Sequence, residues 1–346
     1  MRPPGIRRAS FGRFRNPRLW LFVAGGIVVA LAAGAAVTGL IGLWARWGFV
    51  EFKMPSRTDI PVAIVVARDG TVWFTLEASD AVGRLRDGVI QKVGTGRENL
   101  EPLGLAVDAE GSAWYTNALA RSITRIAADG AVTTFPLSTP VARLGRLSVA
   151  ADGAVWFAEP TTVSVTRLKD GVFMRYTVGP LSPVGSSNAG PFGVAVDPQG
   201  TVWATLQNAN KLARIRPDGE MAVFEVPTPR SGLADLAVDG RGAIWLLESG
   251  ANKVARFTGG RFEEFSVPTP NAGLTALAVA PDGAAWFTEL RAHKLGRVRD
   301  GIITEFALPR PDARPFGIAV DARNNVWYTD LSGWIGRLAA ERARGG

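Results

Sequence analysis

Hydrophobic positions follow two different patterns along the chain. Residues 19–45 form one apolar run of 27 residues without a charged side chain. A helix needs about 20 apolar residues to cross the hydrocarbon core of a bilayer, so this run predicts one transmembrane helix. From residue 48 onward, apolar residues occur in short β-branched and aromatic runs that are separated by Asp-Gly turns. This second pattern predicts β-strands and is unlike a helical solenoid.

The strand pattern repeats seven times. Seven tryptophans follow one another at intervals of 41 to 47 residues, and an arginine lies eleven residues after each of them. The tryptophans are Trp73, Trp114, Trp156, Trp203, Trp245, Trp286 and Trp327. Four short strands in about 41 residues is the spacing of a propeller blade. The predicted fold class is therefore all-β, a seven-bladed β-propeller preceded by one N-terminal transmembrane helix.

The two ends of the repeats predict how the ring closes. The seventh repeat lacks a fourth strand, whereas residues 49–55 resemble the fourth strands of other repeats. We expect this N-terminal strand to complete the last blade, because the pairing covers strand edges that would otherwise be exposed. The predicted domains are a basic cytoplasmic tail (1–18), a transmembrane anchor or uncleaved signal (19–45), the propeller (49–338) and a basic C-terminal tail (339–346).

Positive charge is concentrated around the apolar run. Residues 1–53 hold eight basic side chains and one acidic side chain, whereas the other 293 residues hold 31 basic and 30 acidic ones. The positive-inside rule predicts a single-pass protein of the cytoplasmic membrane with its propeller on the extracytoplasmic side. A signal peptide cleaved near Ala33-Gly34-Ala35 is the alternative, although the apolar run continues beyond that point. The nearly neutral body predicts no nucleic-acid partner.

The repeated text resembles that of a known family. Trp-Phe-Thr-Glu at 286–289, Asn-Lys-Val-Ala-Arg at 252–256, Val-Pro-Thr-Pro-Asn-Ala-Gly at 267–273 and Arg-Pro-Phe-Gly-Ile-Ala-Val at 314–320 are similar to segments of the virginiamycin B lyase (streptogramin lyase) family. The resemblance covers residues 49–338 and implies a seven-bladed propeller. It also implies Mg²⁺-assisted elimination that opens a cyclic depsipeptide, a reaction that needs a base and a metal.

The chain departs from the family at the positions that the resemblance implies for catalysis. Thr275 and Phe316 stand where the family has its two histidines. Arg314 and Leu331 stand where it has two glutamates, and Val62 stands where it has an aromatic residue in the first blade. Phe and Leu cannot transfer protons or ligate Mg²⁺, and an arginine reverses the charge of a metal site. We therefore expect no catalytic residue and no cofactor, with Mg²⁺ implied by the resemblance alone. The expected function is that of a binding or interaction module, and the alternative is a divergent lyase or lactonase-like enzyme.

By the resemblance, the residues eleven positions before each tryptophan surround one mouth of the central channel. They are Val62, Leu103, Gly145, Phe192, Ala234, Thr275 and Phe316, with Glu101, Arg143 and Arg314 just before this ring and Arg146 and Asp235 just after it. An apolar floor with a few charged groups suits a small molecule, a peptide or a protein segment. The predicted ligand-binding residues are Phe192, Phe316, Arg314, Arg143, Glu101, Asp235 and Thr275. Ordinary packing that fills the channel is the alternative.

Carboxylates recur three residues after four of the tryptophans, as Glu159, Glu248, Glu289 and Asp330. If their strands aim them inward, they are candidate ligands for a divalent metal, and pairing with the recurring arginines is the alternative. His293 is the only histidine and replaces the asparagine of other blades, so it is predicted to be a turn residue. The chain has no cysteine, which excludes disulfides and thiolate metal sites.

Overall fold

The computed structural model describes residues 48–79, 81–94, 102–138, 144–179 and 190–344. Over these ranges the chain forms seven antiparallel sheets of four strands each, which confirms the predicted seven-bladed propeller. No helix within these ranges is long and apolar enough to cross a membrane. The predicted basic tail (1–18) and transmembrane segment (19–45) lie outside the described residues.

The first four blades contain β2 to β17 in chain order. Their strands are β2 (Pro61–Val66), β3 (Val72–Leu76), β4 (Ala81–Arg86), β5 (Val89–Gly94), β6 (Pro102–Val107), β7 (Ala113–Asn117), β8 (Ser122–Ile126), β9 (Val132–Pro136), β10 (Leu147–Val149), β11 (Val155–Glu159), β12 (Ser164–Lys169), β13 (Val172–Thr177), β14 (Pro191–Val196), β15 (Val202–Leu206), β16 (Lys211–Ile215) and β17 (Met221–Glu225). Short 3₁₀ helices at Glu77–Ser79 and Pro160–Thr162 connect the second and third strands of blades one and three.

The last three blades contain β18 to β28 together with β1 (Phe49–Lys53). Their other strands are β18 (Leu233–Val238), β19 (Ile244–Glu248), β20 (Lys253–Thr258), β21 (Arg261–Ser266), β22 (Leu274–Val279), β23 (Ala285–Glu289), β24 (Lys294–Arg299), β25 (Ile302–Ala307), β26 (Pro315–Val320), β27 (Val326–Asp330) and β28 (Trp334–Leu338).

Burial within a blade depends on the position of the strand. The second strands β11, β15, β19, β23 and β27 are buried along their whole length, whereas outer strands such as β21 alternate between exposed and half-buried residues. A strand between two others, with a neighbouring blade on each face, has both faces covered and reads as a continuous apolar run. The first strands contact one another in succession from β2 to β26 and back to β2, so they surround the central channel.

The N-terminal strand closes the ring as predicted. β1 pairs antiparallel with β28, with Phe49 opposite Leu338 and Lys53 opposite Trp334, and becomes the fourth strand of blade seven. The Glu51 carboxylate is almost fully buried and accepts a hydrogen bond from the Tyr328 hydroxyl at 2.8 Å. The blade is therefore assembled from both ends of the propeller sequence.

Residues after the last strand form a short helix, α1 (Ala340–Arg344), within the region expected to be a basic tail. Ala343 is buried, and its backbone carbonyl accepts a hydrogen bond from the buried Arg297 guanidinium of blade six. This contact fixes α1 against blade six.

Candidate ligand site at the channel mouth

The predicted ring residues lie at one end of the innermost strands. In six blades, the ring residue falls within a break of register between the first and second strands, as Phe192 does between Pro191 and Val194. A bulge re-aims a side chain out of the regular alternation of a strand. Phe192, Thr275 and Phe316 are half-buried at these positions. The fold thus places the two aromatic candidates and Thr275 at the same end of the channel.

Threonine hydroxyls connect the blades directly behind this ring. Thr116, Thr288 and Thr329 each accept a hydrogen bond, at 2.7 to 3.0 Å, from the backbone N–H that follows the ring residue of their own blade. Each hydroxyl also donates to the carbonyl of the next blade's ring residue, at 2.6 to 3.2 Å. One side chain therefore fixes the ring backbone of two blades.

Blades three and five depart from this arrangement. They have Ala158 and Leu247 in place of the threonine. In the same two blades, Arg146 and Asp235 replace the small residue that follows the ring position elsewhere. Arg146 Nε lies 3.2 Å from Asp235 Oδ1. Burial raises the pKa of the Asp235 carboxyl above its ordinary value, although the Arg146 charge opposes that shift.

The other charged candidates have different surroundings. The Arg314 side chain is exposed, and its backbone N–H donates to Asp330 Oδ1 at 3.0 Å. Glu101 and Arg143 lie outside the described residues. The sequence alone did not predict that Arg146 pairs with Asp235. The only signal for it in the sequence is the simultaneous loss of the small residue and of the threonine in two repeats.

Two of the four recurring carboxylates are held by arginines. Glu159 Oε2 lies 3.0 Å from Arg175 Nη2, and Glu159 Oε1 accepts a hydrogen bond from Thr166. Asp330 pairs with Arg310. Both carboxylates are fully buried, so each arginine neutralises a charge that water cannot reach. These two ion pairs therefore stabilise blade three and the connection that leads into blade seven.

The other two, Glu248 and Glu289, are fully buried. Neither oxygen of the Glu289 carboxylate has a hydrogen-bond partner, whereas the Glu248 carboxylate lies beside the side chains of Glu264 and Ser231. The nearby lysine of blade six, Lys294, instead donates to Glu305 at 2.6 Å. Burial, followed by the charge of Glu305, raises the pKa of Glu289 to about 8. In blade five, burial and the charge of Glu264 raise the pKa of Glu248 to about 7. Below a pH of about 7, both carboxyls are therefore mostly protonated in the folded protein.

The four recurring carboxylates lie in four different blades. Across the described ranges, no group of three or more His, Asp or Glu side chains is arranged to hold a metal ion.

His293 is a turn residue as predicted: it has a φ of 57°, as Asn210 of blade four does.

The recurring arginines pair with tryptophans, so the alternative in which they pair with the recurring carboxylates is wrong. Each arginine lies directly opposite its blade's tryptophan on the neighbouring strand, as Arg84 does opposite Trp73. In five blades the guanidinium carbon lies 5.5 to 5.9 Å from the tryptophan ring centre, a cation–π distance. Tryptophan and carboxylate are three residues apart on one strand, so they project to opposite faces of the sheet.

A cavity of about 460 Å³ lies at the other end of the propeller, between blades seven and one. Its lining includes Arg86 and Asp69, which lie 3.7 Å apart, together with the turn at Asp321. The corresponding turns of blades five and six line a similar cavity of about 360 Å³. Because the cavity recurs at a second junction, it reflects how blades meet in this fold and does not mark a dedicated site.

Comparisons with known proteins agree with the fold and the repeats. The model of the Virginiamycin B lyase family matches residues 34–180 and 181–342. A virginiamycin B lyase of Nocardia farcinica is 36% identical over 173 residues, which is 50% of this chain and 57% of that protein. One from Bordetella pertussis is 42% identical over 45 residues, 13% of this chain and 15% of that protein. The chain thus aligns with little more than half of the Nocardia farcinica protein and with a smaller part of the Bordetella pertussis protein.

Solved structures give the same result over a larger part of the chain. A catalytically inactive virginiamycin B lyase from Staphylococcus aureus, determined with quinupristin, superimposes with a TM-score of 0.78 at 27% identity, covering 84% of this chain and 98% of that one. A streptogramin B lyase superimposes with a TM-score of 0.77 at 26% identity, covering 84% and 96%. The family model spans the propeller from its first strand to its last, and the chain belongs to the virginiamycin B lyase family.

Proposed function

We propose that this protein is a membrane-anchored, extracytoplasmic member of the virginiamycin B lyase family that binds a small molecule or a peptide at the channel mouth without the family's catalysis. The observation that carries the proposal is the chemistry of the ring. Half-buried Phe192 and Phe316 provide an apolar surface, and the charge of Arg146 is matched by Asp235. Such a surface suits binding of an apolar group.

The residues at the positions implied for catalysis do not fit a Mg²⁺ ion. Mg²⁺ requires oxygen ligands, usually carboxylates and water. Phe316 and Leu331 have no ligating atom, and the exposed Arg314 carries a positive charge. The Thr275 hydroxyl is engaged by Thr288 Oγ1 at 2.7 Å and by the carbonyl of Phe316 at 2.8 Å. No base and no metal ligand stands where the family mechanism needs them, so we assign no step of that mechanism to this chain.

The membrane assignment comes from the sequence. The 27 uncharged residues of segment 19–45 are long enough to cross a bilayer, and the arginines that precede them favour a cytoplasmic N-terminus. The propeller then faces the extracytoplasmic side, where its ligand is expected.

Ring opening of a cyclic depsipeptide tests the loss of catalysis. We expect the purified full-length chain with Mg²⁺ to leave quinupristin intact, under conditions in which the Staphylococcus aureus virginiamycin B lyase consumes it. Equilibrium binding of quinupristin is measured in parallel, because an apolar cyclic peptide is a reasonable first probe of the mouth. Linearisation of quinupristin by this chain above the buffer rate would contradict the proposal.

A second candidate function is a divergent lyase or lactonase-like enzyme that uses carboxylates and a divalent metal. The unpartnered oxygens of Glu289 favour it, because a buried carboxylate without partners is unusual. Calorimetric titration with Mg²⁺ and Ca²⁺ separates the two functions. Tight binding that is lost in Glu289→Ala and kept in the exposed control Glu225→Ala supports the enzyme, whereas no binding supports the binding module.

A further inference from the structure

One arginine side chain spans the central channel. Arg146 lies just before β10 in blade three, whereas its partner Asp235 lies in β18 of blade five. Arg146 Nη2 also donates to the backbone carbonyl of Thr275, in β22 of blade six, at 3.3 Å. The innermost strands surround the channel, and these blades are two and three places apart around the ring. A contact between them at this level therefore crosses the channel.

The two residues hold the backbone of the mouth at several points. The Arg146 N–H donates to the carbonyl of Phe192, the ring residue of blade four, at 3.0 Å. Asp235 Oδ2 accepts the N–H of Leu277 in blade six at 3.0 Å. The ion pair thus connects blade three with blades five and six, whereas blade four is joined through the backbone N–H of Arg146.

These contacts continue into blade seven. The Thr275 hydroxyl donates to the carbonyl of Phe316 at 2.8 Å, and the Thr288 hydroxyl reaches the same carbonyl at 2.9 Å. A connected series of polar contacts therefore runs from Arg146 through Thr275 to Phe316. By the resemblance, Thr275 and Phe316 are the positions at which the family carries its histidines.

We propose that Arg146 and Asp235 are positioning residues whose ion pair forms a strut across the channel. The strut spans the channel at the mouth and fixes the ring backbone at Thr275 and, through Thr275, at Phe316. The repeats support this role, because the charged pair occurs in the two blades that have Ala158 or Leu247 in place of the connecting threonine. The inference rests on the proposed function in one respect, since the ring that the strut fixes is the proposed ligand site.

Hydrogen–deuterium exchange of the full-length chain, read by mass spectrometry, tests the strut. The variants are Arg146→Ala and the double variant Arg146→Ala/Asp235→Ala. In both, we expect amide exchange in segments 274–279 and 315–320 to accelerate by about tenfold or more, because local opening there becomes easier. No hydrogen bond or ion pair joins segment 61–66 of blade one to the side chains of Arg146 or Asp235, so this segment is expected to exchange as in the wild-type protein.

A matched control removes an ion pair that lies within a single blade. Arg299 and Asp282 of blade six lie 2.5 Å apart, and Arg299→Ala is expected to leave segment 315–320 unchanged. The double variant removes both charges together, so it leaves no unpaired buried carboxylate and remains informative if Arg146→Ala does not fold.

Two results would overturn the strut: wild-type exchange in both segments of the double variant, or equal acceleration in all seven sheets. The second would show a general loss of stability without a local effect. The measurement uses no ligand, so it is independent of the proposed function. Failure to bind any ligand would overturn the proposed function and leave the strut intact.

Discussion

Seven arginines, one in each blade, show how repetition reveals the role of a residue. Each stands opposite a tryptophan on the adjacent strand, and in most blades its guanidinium lies over the aromatic ring. A side chain that recurs in every blade contributes to the blade itself. Departures from the repeat are more informative about function. Arg146 and Asp235 depart by residue type, and Glu289 departs because its carboxylate has no hydrogen-bond partner.

Glu289 makes the stability of the protein depend on pH. The folded protein keeps this carboxyl protonated up to a pKa of about 8, whereas the ordinary value is 4.5. Between these values the folded state holds a proton that the unfolded chain releases, so the free energy of unfolding falls as the pH rises from about 5 to about 8. We expect Glu289→Gln to reduce this dependence, measured by urea denaturation at a series of pH values.

The exposed Glu225 provides the control for that series. Its side chain is 76% exposed beside Lys211, so Glu225→Gln is expected to leave the pH dependence as it is in the wild-type protein. A Glu289→Gln variant whose stability falls with pH as steeply as that of the wild type would show that this carboxyl is ionised in the folded state.

At the scale of elements, the N-terminal strand has the largest structural consequence. β1 supplies the outer strand of blade seven, and Glu51 connects it to the rest of that blade. Arg310 Nε lies 3.1 Å from Glu51 Oε2, and the same guanidinium pairs with the fully buried Asp330. Strand pairing and a buried ion-pair network therefore both act where the ring closes.

Removing the Glu51 carboxylate is expected to destabilise the closed ring. Glu51→Ala leaves Arg310 with one partner fewer and the Tyr328 hydroxyl without its acceptor. Breaking a buried pair from one side costs about 3–5 kcal/mol, and we expect a loss of this order in chemical denaturation. Val50→Ala, at a 40% exposed position of the same strand, is the control and should change stability little. Equal stability of the two variants would contradict the closure argument.

At the scale of the whole molecule, the two regions of the chain differ in charge and pattern. Residues 1–53 are strongly basic around an uninterrupted apolar run, whereas the rest is nearly neutral and regularly repeated. The nearly neutral net charge of the repeats is the reason to expect no nucleic-acid partner, which stays a prediction. The proposed orientation in the membrane depends only on residues 1–53, which hold the apolar run and most of the net positive charge.

A topology reporter tests that orientation. Fused after Gly346, a reporter that is active only outside the cytoplasm is expected to give signal in the membrane fraction, because the positive-inside rule retains the N-terminus. The same fusion without residues 19–45 is the control and should give no signal. Activity of a cytoplasm-specific reporter at the same position would reverse the assignment.

The sequence of this chain was sufficient to predict the fold and part of the candidate site. The seven tryptophan repeats predicted the blades, and residues 49–55 predicted the closure, because strand patterns and missing partners are visible locally. The family resemblance, applied to each repeat, also placed the ring residues Phe192, Thr275 and Phe316 at the channel mouth. The environments of Glu159 and Glu289 do not, since equivalent positions in the repeat meet an arginine in one blade and no partner in another.

The sequence by itself determined the propeller, the number of its blades and the strand that closes it, because each blade is specified by a short pattern repeated along the chain. Only the tertiary structure decided which groups meet across the channel. Arg146 and Asp235 are 89 residues apart, and their 3.2 Å contact exists because ring closure brings blades three and five to the same axis. The burial that raises the pKa values of Glu248 and Glu289 is likewise decided by the tertiary structure, since each carboxylate loses its water only in the folded propeller.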